Sequence, residues 1–158
     1  MERVSLYMID IYSKGKYPAN ALSNFTANAF QLDGIQCASM EGFLQSLKWR
    51  SIKKQKEICL LTGVDAKRSA GGIHNFLWKI TQNLYWNGVK YKRASSAYSA
   101  LITRAYDALY ENADFKEALN STNAEPLCHS IGKHNKKKTV LTEEEFIEQL
   151  YRLRENGV

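Results

Sequence analysis

No apolar run in the 158-residue chain approaches the roughly 20 residues that a membrane-spanning helix needs. The stretch MERVSLYMIDIYSKGKY carries Glu2 and Asp10 and lacks an apolar segment ending in a small-residue cleavage site, so it does not read as a signal peptide. Cysteine is scarce. Cys37, Cys59 and Cys128 are scattered and odd in number, which argues against a disulfide framework and fits small buried thiols in a reducing compartment. The expected location is cytoplasmic. His74, His129 and His134 share no helix face, and neither C-x-x-C nor H-E-x-x-H occurs, so no metal and no cofactor are expected. GKHNKKKT, from Gly132, lacks the G-x-x-x-x-G-K-[ST] spacing of a phosphate-binding loop. No repeat, low-complexity tract or linker divides the chain, so residues 1–158 read as a single domain.

What is present is ordinary globular composition, 44% hydrophobic and 24% charged, in a chain long enough to bury a real core. The net charge of +6 is mostly local, because it falls to +2 without Lys133, Lys136, Lys137 and Lys138. Such a basic loop fits one phosphate-bearing ligand, or a solvated connection, better than a surface-wide nucleic-acid footprint.

Residues 4–12 read as a strand and 13–24 as a loop. AFQLDGIQCA reads as a hairpin turning on Asp33-Gly34. Ser39 is a natural N-cap for a helix running to about Arg50, with Glu41 in its first turn. A second helix spans about 53–62 and stops at Gly63, and a third, capped by Asp65, ends near Gly71-Gly72. Residues 73–85 read as helical. Ser95 to Glu111 is amphipathic, with Tyr98, Leu101, Ile102, Ala105 and Leu109 on one face. A short helix follows Asp114. Thr142-Glu143-Glu144-Glu145 opens the last helix as a capping box, burying Phe146, Ile147, Leu150 and Leu153. The expected class is a helix-rich α+β domain with a small N-terminal sheet.

The chemistry concentrates in SMEGFLQSLKW, residues 39–49. On a helix, Met40, Phe43, Leu44 and Leu47 form a core stripe, while Glu41, Gln45 and Lys48 cluster within roughly 60° on another face, bordering it. An acid, an amide and an amine along two turns suit ribose binding and proton movement. Spacing alone favours a solvated face with weak helical pairs, since such faces are common. The flanking aromatics Tyr85, Trp86 and Tyr91 read first as core packing, and Cys128 beside His129 does not read as a catalytic pair.

The preceding residues decide between these readings. Tyr12-Ser13, LSNF from Leu22 to Phe25, the Asp33-Gly34 turn, then Ser39, Glu41, Gln45 and Lys48 follow one another in the order and at the distances of the NADAR family. The chain resembles that family, which includes the riboflavin-intermediate N-glycosidases. AKRSAG, residues 66–71, is similar to its A-x-R-x-G-R region, and Trp86 with Val89-Lys90 to its W-x-x-V-K segment. Two departures stand out. Gly42 occupies the position of the usual histidine, and CHSIGKHNKKKT replaces D-x-x-W-G.

The resemblance implies metal-independent hydrolysis of a ribose C1′–N bond. The substrate would be a phosphorylated N-riboside or an ADP-ribosyl-guanine adduct on nucleic acid. It implies Glu41 as acid and base, and Lys48 as a nucleophile passing through a Schiff base. Gln45 would position ribose hydroxyls, with Asn24 and Phe25 as cleft floor. Arg68, Trp86, Lys136 and Lys137 complete the expected substrate contacts. The alternative is a non-catalytic module of the same cleft that binds ADP-ribose, NAD or nucleic acid.

Overall fold

The computed structural model describes residues 7–156. The expected strand at 4–12 survives as β1 (Ile9–Asp10), with residues 4–6 outside the described range. Its partner is distant. β1 runs parallel to β6 (Leu127–Cys128), in register Ile9↔Leu127 and Asp10↔Cys128. Next come β2 (Phe30–Leu32) and β3 (Ile35–Cys37), the expected hairpin, turning through positive φ at Asp33 and Gly34. The Asp33 carboxylate accepts from Trp86 Nε1 at 2.8 Å and pairs with Arg104 at 2.9 Å, tying the turn to two later elements.

Helix α1 (Met40–Ser46) begins at Ser39, whose Oγ accepts from Gly42 N at 3.1 Å and donates to Leu61 O at 2.8 Å. Met40, Phe43, Leu44 and Leu47 are buried as the periodicity requires, and Phe43 meets the Trp86 ring edge-on at 4.8 Å. The helix stops four residues short of Arg50. Leu47, Lys48 and Trp49 bond three residues back instead of four, so the chain leaves in a tightened turn that still carries Lys48 on the Glu41 side. Gln55, a fully buried residue of α2 (Ile52–Cys59), braces this turn. Its amide nitrogen lies 3.1 Å from Ser46 O, 3.0 Å from Trp49 O and 2.7 Å from Tyr85 O, tying the end of α1 to residue 85.

Gly63 does not end α2, which closes at Cys59. Its positive φ instead starts α3 (Gly63–Arg68), with Thr62 rather than Asp65 at the N-cap position. Helix α4 (Ile73–Thr81) terminates at Gln82, which is left-handed. Residues 83–85, expected as helix, belong to β4 (Asn83–Trp86), which pairs antiparallel with β5 (Val89–Lys92). Their turn, Asn87-Gly88, has positive φ at both positions, the requirement of a two-residue hairpin of the primed type.

Helix α5 (Ser96–Tyr110) buries the expected face, with Tyr106 added to it. Helix α6 (Ala113–Ser121) is capped by Asn112, whose Oδ1 accepts from the Asp114 and Phe115 amides at 3.0 Å. Helix α7 (Glu143–Asn156) opens with a reciprocal capping box: Glu145 N donates to Thr142 Oγ1 and Thr142 N to Glu145 Oε1. Glu145 also pairs with the buried Arg93, which donates to Thr139 O at 2.8 Å and so straps the 129–142 loop down. Burial pushes the Glu145 carboxyl up, but the hydrogen bonds and charge of Arg93 together with the Thr142 hydrogen bonds outweigh it and hold the group below its ordinary range. One hydrophobic cluster joins β1, the β2–β3 hairpin, α1 and the faces of α5, α6 and α7. The architecture is thus helix-rich α+β, and the described residues form three two-stranded sheets rather than one small N-terminal sheet. No described helix is long and apolar enough to cross a membrane.

Candidate active site

The cleft lies where α1, the LSNF loop, α3, α4 and the 129–142 loop converge. Its larger chamber, about 310 Å³, is lined by Glu41, Gln45 and Lys48, with Asn75 and Lys79 of α4 and Lys133 and Lys138 of the loop. A smaller chamber of about 160 Å³ holds Ser13, Ser23 and Phe25. Asn24, Glu41, Lys67, His129 and Ile131 line both, so they form the ridge along which the chambers join.

The LSNF loop is fastened to the start of α1. Leu22 is fully buried, Ser23 Oγ accepts from Phe25 N at 3.2 Å, and Asn24 O accepts from Glu41 N at 2.9 Å. Phe25 O accepts from Gly63 N at 3.1 Å. Asn24 Oδ1 is held by the Tyr106 hydroxyl at 2.9 Å, which leaves the amide NH₂ as the donor for a ligand. The sequence motif is therefore a clamp that sets where Glu41 enters the cleft.

Gln45 Nε2 donates to Glu41 Oε1 at 2.9 Å, while Gln45 Oε1 is buried with no hydrogen-bond partner among the described residues. Lys48 Nζ donates to Asn75 Oδ1 at 3.1 Å. Burial raises the Glu41 carboxyl above its ordinary range, against the opposing Gln45 hydrogen bond and the charges of Lys48, Lys67 and His129. Burial likewise lowers Lys48, to about 8; Glu41 pulls it back up, and Lys79 and Lys133 push it further down. The two shifts have one cause: burial moves the carboxyl and the amine each toward its neutral form.

Five lysines (48, 67, 79, 133 and 138) face the larger chamber against a single carboxylate. Lys67 also stands 6.0 Å from the Phe25 ring centroid. Such a surface receives an anion.

The expected site residues separate into two groups. Asn24, Phe25, Glu41, Gln45 and Lys48 come together in one cleft. Trp86 does not reach it, being 1% exposed with its ring against Phe43 and its nitrogen on Asp33. Arg68 lines a separate surface depression with Lys54 and Asp65, because α3 turns its neighbour Lys67 inward instead. Lys136 and Lys137 also miss the cleft wall; Lys133 and Lys138, at the two shoulders of the loop, supply it. Gly42 faces the end of α2 rather than the cleft, and a Cβ there would lie 2.7 Å from Leu61 O.

Among the described residues one His/Glu group has metal-like spacing, His134 with Glu143 and Glu144. Each imidazole nitrogen faces its own carboxylate, at 3.2 and 2.6 Å, which raises the His134 pKa and makes the group an ion-paired latch.

The fold and this cleft define a chain of NADAR type. Its backbone resembles the NMR structure of Escherichia coli YbiA, a NADAR-family member, with a TM-score of 0.59 at 20% identity over 94% of this chain and 83% of that one. More narrowly, the chain belongs to the family described as bacteriophage protein GP30.3, whose model matches residues 16–155. A 17.1 kDa protein of the Gp30–rIII intergenic region of enterobacteria phage T4 is 37% identical over 150 residues, covering 94% of this chain and 97% of that protein.

Proposed function

We propose that the chain is a metal-independent N-glycosidase that cleaves a ribose C1′–N bond in an anionic substrate. The observation that carries this reading is the pairing of a partly buried Glu41, its carboxyl raised above the ordinary range by burial, with a partly buried Lys48 lowered to about 8, on one wall of one cleft. Glu41 protonates the departing base nitrogen as Lys48 attacks C1′. The proton left on the new ammonium passes to the ring oxygen as the ring opens. That leaves a protonated imine on Lys48, which water then hydrolyses. Gln45 Oε1, a buried acceptor without a donor, suits a ribose hydroxyl. The ridge places Phe25 on one side of Glu41 and Lys48 on the other, so the base packs toward Phe25 and the sugar toward Lys48.

The lysine wall favours a phosphate-bearing partner: an ADP-ribosyl-guanine adduct on nucleic acid, or a phosphorylated riboflavin-type N-riboside. The test is incubation with each, followed by detection of released base. Glu41→Gln should retain the fold and lose at least 100-fold in turnover. Full activity in that variant removes Glu41 from the mechanism. The same lysine excess also supports a second reading, a module that binds ADP-ribose or NAD without cleaving it. Calorimetric binding of ADP-ribose with no base released from either substrate would favour the module.

A further inference from the structure

We propose that His129 is a third catalytic residue of this cleft, the base that takes the proton from the water hydrolysing the Lys48 imine; this rests on the glycosidase reading above. The imidazole is fixed on every side but one. Its Nδ1 lies 2.7 Å from Ile11 O, and a carbonyl can only accept, so Nδ1 carries a hydrogen and the lone pair of the neutral ring is the one at Nε2. The ring packs edge-on against Phe146 at a centroid distance of 5.2 Å. The backbone N donates to Glu143 Oε1 at 3.1 Å, and the backbone O accepts from Gly132 N at 2.9 Å. A Cβ on Gly132 would lie 2.7 Å from His129 Cδ2, so the loop passes this ring without a side chain. Among the described residues Nε2 has no hydrogen-bond partner, and the residue lines both chambers on the ridge shared with Glu41. A histidine whose only role was to tie β1 to the loop would not need this exposure to the reacting face.

The steps balance. Water forms the C1′–O bond while one of its protons passes to His129 Nε2, giving a neutral carbinolamine on Lys48. The imidazolium returns that proton to the Lys48 nitrogen. The C1′–N bond then breaks with its electron pair going to Lys48, as the carbinolamine hydroxyl gives its proton to the Glu41 carboxylate left by the first step. One water is consumed, one base N–H is formed, and all three side chains return to their starting states.

The two histidine nitrogens can be tested separately. In His129→Asn the side-chain amide replaces Nδ1–H on Ile11 O but leaves nothing in place of Nε2. On whichever probe the wild type cleaves, ADP-ribosylated guanine oligonucleotide or the phosphorylated N-riboside, the variant should release about one equivalent of base in a burst. Its steady-state rate should then fall by about 100- to 10,000-fold with KM little changed. Borohydride should trap more Lys48–sugar adduct than in wild type, because the imine accumulates. His129→Gln, which puts a non-basic amide near the Nε2 position, should behave alike and covers the case in which the asparagine variant folds poorly. Wild-type steady-state turnover in a folded variant, or loss of the burst together with the steady state, overturns the role while leaving the glycosidase reading intact. A wild-type chain that cleaves neither probe overturns both.

Discussion

Gly42→Ala isolates the seam on which the site is built. The Cβ would meet three backbone carbonyls of one chain segment: Leu61 O at 2.7 Å, Ile58 O at 3.0 Å and Cys59 O at 3.1 Å. These are not flexible groups. Leu61 O accepts from Ser39 Oγ at 2.8 Å and Cys59 O from Ala38 N at 2.7 Å, so they hold the start of α1 against the end of α2. Restoring an ordinary contact requires the seam to open by about 0.8 Å, which would strain both bonds. Overpacking of this kind costs about 3 kcal/mol at the upper end of the usual range, offset by about 1 kcal/mol for replacing a helical glycine with alanine. The net loss of about 2 kcal/mol should lower the melting temperature by roughly 4–8 °C for a domain of this size. Calorimetry or thermal circular dichroism reads it. Turnover should fall as well, because the displaced helix carries Glu41 and Gln45. A variant melting at or above the wild-type temperature would show that the seam yields at no cost, and the account of why glycine stands at this position would be wrong.

Other outcomes follow from the cleft. Trapping of Lys48 by borohydride should increase as pH rises through about 8, because the lowered pKa releases the neutral amine there rather than near 10.5; trapping that rises only above pH 10 would contradict the burial effect. Replacing Lys133 and Lys138 with alanine should raise KM several-fold and weaken its salt dependence, while the same change at Lys136 and Lys137 should do little. Equal effects from both pairs would mean that the loop acts by overall charge and not through its shoulders.

Short-range signals were the legible part. The Asp33-Gly34 turn, the Ser39 cap, the Thr142 capping box and the apolar faces of α1 and α5 each rest on residues within one or two turns of one another. Glu41, Gln45 and Lys48 came together on helical spacing even though the helix ends before Lys48, because the tightened turn preserves the side it faces. The Asn87-Gly88 turn is a local hairpin signal as well, and a helix read over residues 73–85 runs past the left-handed Gln82 into the first strand of that hairpin. Other features had no local signal at all. The two-residue β1–β6 pairing joins segments more than 100 residues apart. Choosing Lys67 over Arg68, or Lys133 and Lys138 over Lys136 and Lys137, requires the rotation of a short helix and the path of a loop. His129 does not stand out in the sequence beside Cys128, because its partners are distant: Ile11, just past β1, and Phe146 of α7; burial raises the Cys128 thiol above its ordinary range.

The β1–β6 pairing also orders events during synthesis. At 5–20 residues per second, residue 129 follows residue 41 by about 4–18 s. Throughout that interval α1 can form on its own cap, but Ile11 has no imidazole to hold and the wall containing Lys133 and Lys138 does not exist. Closure of the late strand beside the early one is the event that sets His129 against Ile11 and brings the loop carrying Lys133 and Lys138 to the cleft. The cleft is thereby completed only when nearly all of the described fold is present.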